Sequence, residues 1–224
     1  MAEAIGQVLS LGVGIALSPV PIIAVVIMLG TPRARGNGPA FVLGWMLGLA
    51  LVGALVLAVA GGAGASEDAG PATWVGAVEI GLGALLLVVA VKQWSRRPRA
   101  GDQAAMPTWM RTIDTFTPAR SLGIAAALAG VNPKNLLLTV GAGAAIAQTG
   151  AGTGEQAVAL AVFVVIGTLG PGLPVAIYVI LGQRATRVLD DVKAWMAGNS
   201  AAIMAVLCLV IGAKLIGDGF SGLA

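Results

Sequence analysis

Charged side chains are missing from four long stretches of this chain: between Glu3 and Arg33, Arg35 and Glu67, Lys134 and Glu155, and Glu155 and Arg184. Each stretch matches or exceeds the ~20 apolar residues that a helix needs to cross a hydrocarbon core ~30 Å thick. The apolar runs predict six spans, at 4–30, 37–61, 73–94, 119–148, 156–182 and 199–217. The chain therefore reads as an all-α membrane protein with one integral membrane domain. A first three-span half occupies 1–94, a cytoplasmic connector 95–118, and a second three-span half 119–224. Within the connector, PTWMRTIDTF (107–116) predicts a short interfacial helix with Trp109, Met110, Ile113 and Phe116 toward lipid.

Composition agrees: of 224 residues, 58% are hydrophobic and 10% charged, and the mean hydropathy is +0.94. Soluble domains carry about a quarter charged residues. The net charge of +3 does not point to nucleic acid, because no basic run is interleaved with aromatics. The cations sit instead in alternate connectors: Arg33 and Arg35; Arg96, Arg97, Arg99 and Arg111; Arg184, Arg187 and Lys193. The two intervening connectors have no Lys or Arg, which predicts a multi-pass protein of the cytoplasmic membrane with both termini on the outer side. The start lacks a basic n-region, and its apolar run is too long for a signal peptide, so it reads as an uncleaved first span. Cys208 is the single cysteine and histidine is absent. This excludes an internal disulfide, a CxxC redox pair, a Cys/His metal cage and His-dependent nucleophiles. No enzyme activity, cofactor or metal is expected, and Cys208 reads as a packing residue.

Three spans contain helix breakers. In SPVP, Pro19 and Pro21 deprive carbonyls around Gly14 to Leu17 of amide partners, and Ser18 is the nearby side chain able to help. In NPKN, Asn132 and Asn135 flank Pro133 and can bond the backbone it frees. GTLGPGLP, with Pro171 and Pro174, predicts a third break in span five. Irregular backbone at membrane depth must lie within protein or along a wet cavity, not against lipid. ALSPVPIIAVVIMLG (16–30) and ALAGVNPKNLLLTVGAG (127–143) echo one another, each opening a half. Because three spans per half is odd, the halves would insert with opposite orientation. The prediction is a 3+3 inverted repeat with broken helices 1, 4 and 5, a plan that places substrate sites where discontinuous helices meet.

Lys134 lies ~20 Å along a continuous helix from Arg120, deeper than snorkelling reaches. It reads either as a fixed charge for an anionic group, with Asn132, Asn135, Ser18 and Arg33 as companions, or as a brace neutralised by Glu79 or by helix-end carbonyls. Glu79, ~9 Å inside span three, is the candidate for proton coupling or for that ion pair. Asp114 and Arg33, at the cytoplasmic edge, are candidates for a gate or an ion pair. Lys214 is near enough to the end of span six to snorkel. GWMLG (44–48) is a GxxxG pattern that allows close helix approach, within the chain or across a homodimer.

The segments SPVP (18–21), TPRAR (31–35) and NPKN (132–135) give the chain, over nearly its whole length, a resemblance to the glycolipid-addressing protein family (GAP, or Sap for sulfolipid-addressing) of the LysE-type exporter superfamily. The Asn-Pro-Lys is shared with the superfamily's amino-acid exporters. The resemblance implies six spans in a 3+3 repeat and a role in moving envelope glycolipids or their precursors toward a mycobacterial-type cell surface. Such a protein would act by transport or by assisting envelope lipid-export machinery. Three functions stay open: transport of a lipid or glycolipid substrate, export of amino acids or other small solutes, and a non-transporting assembly factor.

Overall fold

The computed structural model describes residues 2–63, 73–95, 97 and 108–223. The connector charges Arg96 and Arg99, and the side chains of Trp109, Met110 and Arg111, lie outside the described residues. Eight α-helices make up the described fold: α1 Ala2–Ala16, α2 Pro19–Leu29, α3 Ala34–Ala63, α4 Thr73–Ser95, α5 Pro118–Gly130, α6 Pro133–Gln148, α7 Thr153–Leu181 and α8 Thr186–Leu223. Two short 3-10 segments, Thr108–Thr115 and Gly182–Ala185, complete it, and no strand occurs among the described residues.

The helices stop where the sequence removes donors. Pro19 and Pro133 each occupy the first turn of a new helix, where a missing N–H costs nothing. The residue before each is extended: Ser18 at φ −73, ψ 115 and Asn132 at φ −61, ψ 122. Thr117 caps α5, its hydroxyl accepting from the Arg120 amide ahead of Pro118. Four helices are individually long and apolar enough to cross a membrane, within α3, α4, α7 and α8. The pair α1–α2, bent by 46° at its break, makes a fifth. Helices α5 and α6 together fill the stretch expected as span four, with 13 and 16 residues.

Helix α4 packs along α8, α3 along α5 and α6, and α1 along α6 and α7, while α2 lies against α7 and α8. Glycines set the closest crossings. A Cβ at Gly44 would clash with the Leu122 carbonyl oxygen, and one at Gly48 would lie 2.6 Å from that of Ala126. The GxxxG pattern is thus spent inside the chain, on α3 against α5. Gly83 and Gly212 bring α4 and α8 equally close, a Cβ at Gly212 lying 2.9 Å from the Gly83 oxygen. The core between α1, α3 and α7 holds Leu11, Ile15, Phe41, Trp45, Leu49 and Phe163, all fully buried.

Three expectations are corrected. Span five is not broken: α7 runs unbroken through Pro171 and Pro174. Pro171 cannot donate to the Gly167 carbonyl four residues back, and the indole Nε1–H of Trp45 on α3 donates to that oxygen at 3.1 Å instead. A tertiary hydrogen bond replaces the missing helical one. The 107–116 segment is a 3-10 helix over Thr108–Thr115, and Ile113 and Phe116 are buried rather than turned to lipid. It packs against α2 and is tied to the start of α3, where the Phe116 carbonyl accepts from Asn37 Nδ2 at 3.0 Å and from Arg33, just before that helix, at 3.5 Å. Helix α8 extends well before the expected start at 199, since the amphipathic stretch 186–198 continues the same helix.

Candidate functional site: a buried lysine between two broken helices

The breaks at Leu17–Ser18 and Val131–Asn132 are brought together. Helix α1 ends irregularly: the Ser18 amide turns to the Ile15 carbonyl at 3.1 Å, leaving the Gly14 carbonyl without its usual partner four residues on. Lys134, in the first turn of α6, fills that vacancy. Its ammonium donates to Gly14 O at 2.7 Å and to Ser18 Oγ at 2.6 Å. The Ser18 hydroxyl in turn donates to Asn135 Oδ1 at 3.3 Å. Asn135 Nδ2 reaches back to the Leu128 carbonyl at 3.1 Å, tying the end of α5 to α6. Asn132 Oδ1 accepts from the Lys134 amide at 3.1 Å as the helix cap, and Thr139 Oγ1 donates to the Asn135 carbonyl. Ser18, Lys134, Asn135 and Thr139 are all buried, Lys134 to 3% exposure.

Every acceptor around the ammonium is neutral. Among the described residues no carboxylate pairs with Lys134. The cation sits at the C-terminal end of α1, where the partial charge of the unsatisfied carbonyls favours it. Placing a lysine deep in a bilayer costs at least ~2.5–3.5 kcal/mol, and two hydrogen bonds from a charged donor contribute about 1.5–3 kcal/mol each. Those magnitudes balance without a counter-ion. The Cys208 thiol, also buried, is an electrostatic neighbour of the ammonium.

The other expected residues lie apart from this knot. Glu79 is not paired with Lys134. It is 2% exposed on α4, with Gln148, Asp218 and Lys214 as neighbours, and its Oε2 has no hydrogen-bond partner. Lys214 does not snorkel alone, being ion-paired with Asp218 one turn along α8. Arg33 lies beyond the far end of α2 from Ser18, ~16 Å of helix away, and is held over the Phe116 carbonyl. Asp114 is exposed on the 3-10 segment. Pro19, Pro21 and Pro133 stand at the joined breaks, whereas Pro171 and Pro174 are buried within the continuous α7. Cys208, read as a packing residue, is buried as expected, and the sequence reading missed Gln148 and Trp45. Only the indole carried a signal, a lone donor in an apolar span that must find an acceptor when buried.

Two helix breaks joined by a buried lysine that has no carboxylate partner among the described residues, within a set of long apolar helices, are compatible with a multi-pass membrane protein with an internal polar joint. The pattern of the sulfolipid-1-addressing protein family (SfLAP, Sap) matches residues 8–221, and the chain belongs to that family. Membership points to a role in lipid transport or addressing. No curated protein and no solved structure gave a significant match.

Proposed function

We propose that this protein moves an anionic envelope lipid, a glycolipid or its precursor, across the cytoplasmic membrane, and that Lys134 is the charge that engages the head group. The observation that carries the reading is the ammonium held only by neutral oxygens of Gly14 and Ser18. The structure is then the closed state, with Lys134 clasping α1 to α6. A phosphate or sulfate group competes for the ammonium, supplies the counter-ion that the protein lacks, and releases the clasp. Exchange of the halves relates α1–α7 packing to α5–α3, α2–α8 to α6–α4, and α2–α7 to α6–α3, which supports a repeat of two three-span units, although α1–α6 packing has no comparable counterpart among the described residues. In this arrangement α5–α6 is a broken fourth span, both termini lie outside, and the resemblance to LysE-type exporters reflects a common plan. Lipid is favoured over a small solute because the grooves between α3 and α7 and between α4 and α8 are lined mainly by apolar side chains, not by a ring of polar ones.

The enclosure of Lys134 favours a second reading, in which the clasp is a permanent brace and the protein assists other lipid-export machinery. Lys134→Met separates the two. With protein abundance and thermal stability matched to wild type, lipid mass spectrometry of the cell surface is expected to show at least a tenfold loss of the transported lipid. Surface lipid at wild-type level in a folded K134M protein refutes the role of the ammonium in transport.

A further inference from the structure

Midway along α7, α3 and α7 are pinned to one another by the Trp45–Gly167 bond. Beyond that pin, toward Arg35 and Gly182, two adjoining spaces open. The first is a cavity of about 620 Å³ lined by Thr31, Arg35, Tyr178 and Gly182 among others. The second is a groove of about 570 Å³ between α3 and α7, lined by apolar residues and glycine, including Pro39, Leu43, Gly172 and Ile180. Val179 borders both, so the two spaces adjoin. Small residues make the groove: Gly172 and Ala176 on α7 face the proline ring of α3. Its rims are turned outward, Leu43 being 55% and Ile180 79% exposed.

We infer that this compartment is a lateral binding site for one anionic lipid of the leaflet on the basic-connector side, with its head group at Arg35 and an acyl chain along the α3–α7 groove. Charge and dimensions support that occupant. Among the described residues Arg35 has no ion-pair partner. The carboxylate that shares a small neighbouring cavity with Tyr178, Asp190, is already paired with Lys193 at 2.5 Å. The guanidinium offers a planar fork suited to phosphate or sulfate oxygens, and the Tyr178 side chain adds a hydroxyl group at the same mouth. From Arg35 to Leu43 the helix rises ~12 Å, and from Gly172 to Gly182 ~15 Å. That is about the depth of one leaflet of a ~30 Å core. A head group at the arginine thus leaves its chain alongside apolar side chains over its embedded length. The site lies beyond the far end of α2 from the Lys134 clasp and rests on the lipid-moving reading as the place where substrate waits before the clasp.

The test uses the full chain purified in mild detergent and exposed to dioleoyl phosphatidylglycerol or dioleoyl phosphatidylcholine, with bound lipid counted by native mass spectrometry. The expected result is one retained phosphatidylglycerol per chain and at least tenfold less phosphatidylcholine. Arg35→Gln is expected to reduce retention about tenfold, and Arg35→Lys to restore part of it. Gly172→Leu is expected to exclude the lipid by filling the groove; a Cβ there meets only a Thr168 methyl at 3.8 Å, so the helix accommodates it. Glycerol 3-phosphate should not compete at equal concentration, because the head group alone forgoes the groove. Equal retention of both lipids, undiminished retention in R35Q and G172L proteins of wild-type stability, or full competition by glycerol 3-phosphate overturns the site. A dimer mass without lipid, abolished by G172L, reassigns the face to a contact between copies and overturns it too. Lys134→Met keeps this readout separate from the proposed function: it is expected to abolish surface lipid while leaving phosphatidylglycerol retention intact. Retention without any effect of K134M on surface lipid sinks the transport role of Lys134 and spares the groove.

Discussion

The Trp45–Gly167 hydrogen bond offers the sharpest quantitative check on how this fold tolerates its prolines. Trp45→Phe keeps an aromatic ring in a fully buried position but removes the donor, so the Gly167 oxygen orphaned by Pro171 has no partner. An unsatisfied buried acceptor costs about 1–3 kcal/mol, and the smaller ring adds a packing loss to the same measurement. Pro171→Ala separates the two effects, because alanine returns an amide N–H four residues after Gly167 and the helix can satisfy its own carbonyl. In that background Trp45→Phe should cost only the packing term. The double-mutant cycle is therefore expected to show a coupling of about 1–2 kcal/mol, of the size seen for directly interacting residues. Reversible unfolding in mixed detergent and dodecyl sulfate micelles, followed by near-UV circular dichroism, supplies the four stabilities. If the two substitutions add within ~0.5 kcal/mol, they do not interact, and the account of why α7 stays continuous is wrong.

Ser18→Ala removes one of the two acceptors of the Lys134 ammonium together with the link to Asn135, and should destabilise the fold by about 1.5–3 kcal/mol in the same assay; no change would mean that the clasp is not formed. Gly44→Ala forces a methyl into the Leu122 carbonyl and should cost at least ~1–3 kcal/mol as an overpacked contact, whereas Gly123→Ala, with open space around it, should be neutral or slightly stabilising. A reversed order in thermal stability would show that α3 and α5 do not cross there. The single, buried cysteine serves as an internal reporter: Cys208 should react slowly with a maleimide in the folded protein and faster in S18A, and equal rates would argue that the knot does not hold this region closed. Glu79→Gln replaces a buried carboxyl that has an unpartnered oxygen, so stability should be unchanged or higher. Lipid display that keeps its full pH dependence in E79Q would discard Glu79 as a coupling site.

Much was determined by the sequence alone, through properties that are local. Charge-free stretches of span length specify apolar helices whatever they pack against, because a bilayer admits few other structures. Proline cannot donate at Pro19 or Pro133, so the interruptions there, and the need of the Gly14 region for outside donors, could be read from residue order. The partners could not. That the donor for Gly14 is Lys134, more than a hundred residues away, follows only from α1 and α6 lying side by side. The same holds for Glu79, which faces Gln148, Asp218 and Lys214 rather than Lys134, and for Arg33, which α2 carries to the opposite end of the helix from Ser18. Span five is the clearest case. Pro171 and Pro174 spoke for a break, and α7 is continuous because a tryptophan on another helix donates where the backbone no longer does. A chain's own order states which hydrogen bonds are lost; packing between distant helices decides which are replaced.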